Sequence, residues 1–296
     1  EVAAGTRRLA ALAKIAVTYG VLLLVWSPAL GSDRVNDSFQ DWSYAAEYKS
    51  YAATSLFDFG EVPYFAWQGR HKGHRNTAFD AFFANPETPA LSPMLPLYYW
   101  LDPEQATRAD RQIRLLVGAV GAYVLLSAWL ANVSLWALLS FCLLYLGNGA
   151  LAGHTLVGHG MAGALFVLPL IMGLFLRASN RNHGGLFPAA AVACGGLLAL
   201  MVYDGASHFL THFLLFLGIY SVTACIIEPS RARGIGVALF ATLLSFALLG
   251  AYKLLPMVDI YTGYAADYRM GYASLADLLA QFWPFAPEIV FDHEVN

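Results

Sequence analysis

The sequence predicts an all-α polytopic membrane protein, with about seven transmembrane helices and a long first outer loop carrying amphipathic interfacial helices. Three observations predict it. Hydrophobic residues fill 58% of the 296 positions and charged residues only 12%, with a mean hydropathy of +0.54; soluble domains carry roughly a quarter charged residues. The charges are bunched, which leaves apolar runs of about 20 residues, the length a helix needs to cross the hydrocarbon core. Finally, short basic loops alternate with loops that hold no Lys or Arg.

The apolar runs fall at 9–30, 113–131, 134–152, 161–176, 186–203, 207–227 and 234–255. The turns at 177–185 and 228–234 carry Arg177, Arg181, Arg231 and Arg233, and the N-terminal stretch carries Arg7, Arg8 and Lys14. The turns around 147–160 and 203–206 have no Lys or Arg. Basic loops stay cytoplasmic, so the N-terminus is expected inside and the 31–112 loop outside. The turns at 147–160 and 203–206 and the 256–296 tail are then outside as well. The organisation read from this is a transmembrane module over 1–255, including the outer loop 31–112. A C-terminal outer segment over 256–296 is expected to be the truncated start of a longer one.

A net charge of −3 gives no basis for nucleic-acid binding. Cys142, Cys194 and Cys225 sit inside apolar runs and are read as small packing residues. The chain has no GxxxxGK[ST] phosphate loop and no HExxH, which argues against ATP-driven transport and zinc proteolysis. A secondary transporter would carry polar groups at mid-span and repeated halves. Here the polar groups gather at one end of the spans.

In the first outer loop, Asp37, Asp41, Tyr44 and Tyr48 recur at helical spacing, and Trp42, Ala45, Ala46 and Tyr51 populate another side. This predicts an amphipathic helix along the membrane surface, with Asp37 or Ser38 as its N-cap in the plainest reading. The stretch GEVPYFAWQGRHKGHRN follows, with Arg70, His71, Lys72, His74 and Arg75 in a cluster suited to phosphate. The proline-rich NPETPALSPMLPLYYW is read as a dip into the interface before the second span.

His154 and His159 lie five apart in GHTLVGHG without a third ligand at fixed spacing, so no metal is assigned. Asp204 and His208 stand at i and i+4, which predicts an ion pair or an N-cap at the start of the sixth run. His212 would extend that face as a polar seam. Lys253 is expected to snorkel to the outer interface.

The order of these features resembles the GT-C superfamily of integral-membrane glycosyltransferases, especially its uncharacterised bacterial branch. Oligosaccharyltransferases, protein mannosyltransferases and aminoarabinose transferases are relatives of that branch. The resemblance rests on an acid in the loop after the first span and on G-x-x-P-Y-F-A-W. It rests also on N-P…S-P…L-P before the second span, on GHTLVGHG before a span with VLPL, and on GAYKLLP followed by an Arg. It implies transfer of a sugar from a polyprenyl-phosphate donor to an acceptor on the outer face of the membrane. Asp41 or Asp37 is then the catalytic base or acceptor-orienting group; relatives carry a paired acid where this chain spreads the two apart, and the choice between them stays open. Arg269, Lys253, His154, His159, Asp204, His208, Arg70 and Lys72 are the implied substrate-binding residues. The implied location is the bacterial inner membrane, with the active face periplasmic or extracellular. The donor, membrane lipids and a membrane protein are the expected partners, with no resident cofactor assigned and a divalent metal left open. The alternative is a non-catalytic GT-C-like subunit or scaffold of a larger complex.

Overall fold

The computed structural model describes residues 2–30, 42–64, 83–84, 88–148, 151–152, 155, 160–180 and 187–263. Glu1–Met257 form one compact unit and Val258–Asn296 a second, of which the described part is the end of the last helix. Among the described residues there are helices and no strands. The helices are α1 (Val2–Leu30), α2 (Trp42–Asp58), α3 (Leu95–Trp100), α4 (Pro103–Trp129), α5 (Leu135–Tyr145), α6 (Leu168–Ser179), α7 (Phe187–Tyr203), α8 (Ser207–Ile227) and α9 (Ala232–Gly263). A 3₁₀ helix, Gly160–Val167, leads into α6, and Pro169 sits in the first turn of α6, where its missing N–H costs nothing.

Five stretches are long and apolar enough to cross a bilayer: Gly5–Pro28, Pro103–Trp129, Ala162–Ser179, Phe209–Ile227 and Pro229–Asp259. The described residues are all-helical, and these stretches mark the chain as an integral membrane protein. The runs expected at 134–152 and 186–203 correspond to the shorter α5 and α7. With 11 and 17 residues, these helices extend about 16 and 25 Å at 1.5 Å per residue. Large apolar side chains such as Leu24, Trp136, Leu144, Ile226 and Leu248 are exposed along the bundle, as a lipid-facing surface requires.

Close backbone approach organises the bundle. At Gly121 of α4 an added Cβ would lie 2.6 Å from the Leu170 backbone nitrogen, and at Gly173 of α6 it would lie 2.7 Å from that of Leu125. The two glycines face opposite partners across one crossing, so any larger residue at either would push the helices apart. On one side of this crossing, Leu22 and Trp26 of α1 pack with Leu115, Ala119, Leu138 and Phe166. On the other, α6, α7, α8 and α9 share a core around Phe175, Leu198, Met201 and Leu217.

A third, smaller core joins α2, α3 and the segment before α3. It is built from Ala46, Ala52, Ala53, Ala90, Leu95 and Tyr98. The helix predicted in the first loop is present as α2, but its inward face is Ala46, Lys49, Ala52 and Ala53. Tyr51 is exposed. Helix α4 begins well before the apolar run that announces it, and its first turns carry Asp110, Arg111 and Arg114 toward the interior.

Candidate functional site

The turn between α7 and α8 is a Schellman closure. Gly205 adopts φ +80, its N–H donates to the Val202 carbonyl at 3.1 Å, and the Ala206 N–H donates to the Met201 carbonyl at 2.9 Å. Asp204 therefore occupies the C-cap of α7. A carboxylate there faces the negative end of the helix dipole, so it needs a cation, and it has one. Arg114 Nη1 donates to Asp204 Oδ2 at 2.6 Å and Nη2 to Oδ1 at 3.0 Å. Ser92 Oγ donates to Asp204 Oδ1 at 2.6 Å.

The third guanidinium nitrogen, Arg114 Nε, donates to Asp110 Oδ1 one turn back on α4. Lys49 Nζ of α2 reaches Asp110 Oδ2 at 2.5 Å and lies 4.9 Å above the Tyr98 ring. Tyr98 also donates to Asp110, at 3.3 Å. All four charged side chains are nearly inaccessible, at 5% to 11% exposure. Two cations and two anions sum to zero, which is how such a cluster survives burial. Burial opposes the charge on Lys49, but Asp110 outweighs it and holds the ammonium above its ordinary range. Burial raises the Tyr98 phenol.

Arg114 fits because Gly163 has no side chain. A Cβ at Gly163 would lie 2.4 Å from Arg114 Nη1. Beside this contact opens a cavity of about 200 Å³. Its walls are apolar, including Val117, Phe166, Leu197 and Met201, with Pro93 and Met94 of the segment before α3 also in the lining. Its polar pole is Arg114 with Asp204.

Lys253 is a correction to the sequence expectation. Its side chain is fully buried rather than reaching the interface, and its ammonium donates to the Thr88 carbonyl. The N-cap expected at Asp204 is also replaced: Asp204 ends α7, where it accepts from Arg114 and Ser92, and α8 has Ala206 as its N-cap without a side-chain bond; the expected ion pair with His208 lies outside the described side chains. His208 belongs to the first turn of α8. His212 is exposed, so it does not extend a buried polar seam. Asp37, Asp41, Arg70, Lys72, His154, His159 and Arg269 lie outside the described residues. Among the described residues, no group of three His, Cys, Asp or Glu is placed to hold a metal ion.

Lys49, Ser92, Asp110 and Arg114 are the members of this cluster that sequence reasoning missed. One signal was available: Asp110 and Arg114 stand at i and i+4 across the start of the 113–131 apolar run. No family model, curated protein or solved structure matches the chain.

Proposed function

We propose that this protein transfers a sugar from a polyprenyl-phosphate donor to an acceptor at the outer face of the membrane. The observation that carries this reading is the junction of an apolar cavity with the Arg114–Asp204 pair. An isoprenoid chain suits the apolar walls, and its phosphate suits a guanidinium. Displacing that phosphate calls for donors that stabilise the departing charge, and the acceptor hydroxyl calls for a carboxylate. The order of motifs in the first loop supports the same assignment, with Asp41 or Asp37 orienting or deprotonating the acceptor. Arg70, Lys72, His154, His159, His208 and Arg269 are then donor contacts on the outer side, in a seven-span GT-C-like module of the bacterial inner membrane.

A second reading, a non-catalytic membrane subunit, draws on a specific observation. The charges of Lys49, Asp110, Arg114 and Asp204 already satisfy one another. Transfer of label from a mixed pool of radiolabelled polyprenyl-phosphate sugars separates the two. The wild-type protein in liposomes is compared with Asp41→Asn, Asp37→Asn and Arg114→Lys. Loss of transfer in one aspartate variant that still folds assigns the base. No transfer by the wild type from any donor overturns the enzyme and leaves the scaffold.

A further inference from the structure

Among the described residues, the third core is the weakest of the three in apolar content. Alanines supply most of its buried positions, and stabilisation by burial scales with the apolar area removed from water. Regions with little apolar burial open first. The segment 88–94, TPALSPM, belongs to this core through Ala90 and Leu91 and reaches the cavity at Pro93 and Met94, which form part of its lining. Two side-chain hydrogen bonds tie it to the helices behind it. Ser92 holds Asp204 at the end of α7, and Lys253 of α9 holds the Thr88 carbonyl. The preceding residue of α9, Tyr252, meets the Tyr64 hydroxyl and lies 5.0 Å from the Phe83 ring. Pro256 has no N–H to return to the Tyr252 carbonyl, so the helix ladder lacks one bond at this turn.

We propose that residues 88–94 form a lid over the apolar cavity, held shut by two latches, Ser92 on Asp204 and Lys253 on Thr88, whose release admits a ligand. The first latch shares its acceptor with Arg114. An anion that draws Arg114 away from Asp204 therefore disturbs the lid directly, which couples occupancy of the cavity to its opening. This rests on reading the cavity as a ligand site.

Thiol labelling of full-length protein in lipid nanodiscs tests the lid, with sites resolved by peptide mass spectrometry. Met201 lines the cavity and is 2% exposed, so Met201→Cys reports on access, while the native Cys142 at 0% reports on general loosening. N-ethylmaleimide is expected to modify the thiol of Met201→Cys slowly. Adding Ser92→Ala or Lys253→Met should raise its rate roughly tenfold or more each, the population change expected from losing one hydrogen bond to a charged group, with Cys142 unreactive. Unchanged rates in both combinations overturn the lid, and so does an equal rise at Cys142. Sugar transfer is not read in this experiment, so the lid and the transferase assignment can fail separately.

Discussion

Asp204 closes α7 and grips both terminal nitrogens of Arg114, a residue 90 positions earlier in the chain. This pair joins α4 and α7, which the sequence separates by α5 and α6, and it sets the polar end of the cavity. Breaking it from one side strands a buried charge. Removing one partner of a buried pair costs about 3–5 kcal/mol, whereas replacing both with apolar residues is often neutral. The expected outcome is that Arg114→Leu and Asp204→Leu each lower the melting temperature sharply in detergent. The double variant should melt above either single one, because Lys49 still neutralises Asp110. A double variant that is the least stable of the three would show that the two residues are not coupled.

Gly163 is the space in which the Arg114 guanidinium sits. Because that guanidinium is held by two carboxylates, it cannot yield cheaply to a new methyl group. Gly163→Ala should cost about 1–3 kcal/mol, the usual range for overpacking. It should also abolish most of the stability difference between Arg114 and Arg114→Lys. Thermal unfolding of the four combinations measures this, and full additivity would place the methyl group elsewhere.

The glycine pair at the α4–α6 crossing makes a different demand. Gly121→Val and Gly173→Val each place atoms against the partner's backbone rather than against a movable side chain. Each should lose more stability than Gly218→Val, where nothing lies within 4 Å. The yield of monodisperse protein and its melting temperature report the contrast.

Lys49 defines a pH window. Burial alone would lower it, yet Asp110 holds its ammonium above the ordinary lysine value of 10.5. The folded state therefore binds this proton more tightly than the unfolded state does. Its contribution is fully present below pH 10.5 and is lost as the pH rises beyond that value. A melting temperature followed from neutral to strongly alkaline pH should show that late fall, and Lys49→Met should remove this component. A Lys49-dependent loss centred near neutrality would contradict the pairing with Asp110.

The membrane class was legible in the sequence because it depends on composition and run length, which are local quantities. Helix α2 was legible for the same reason, from the periodicity around Tyr44 and Tyr48. Its inward face was not. A lysine is an ordinary surface residue, and Lys49 is buried only because the carboxylate of Asp110 meets it inside. The start of α4 was obscured likewise, since the charged stretch from Asp102 to Arg111 breaks the apolar signal ahead of the 113–131 run. Lys253 carries the same lesson: a lysine near a helix end is expected to reach for water, but here the Thr88 carbonyl meets it inside.

By itself, then, the sequence determined an all-helical membrane protein and marked Asp204 and Lys253 as residues of interest. Hydrophobic partition and helical periodicity act residue by residue, and they need no partner from elsewhere in the chain. Tertiary structure alone decided which charges meet. A buried charge is stable only against its complement, and Lys49, Asp110, Arg114 and Asp204 find theirs through helix crossings, one of them set by Gly121 and Gly173.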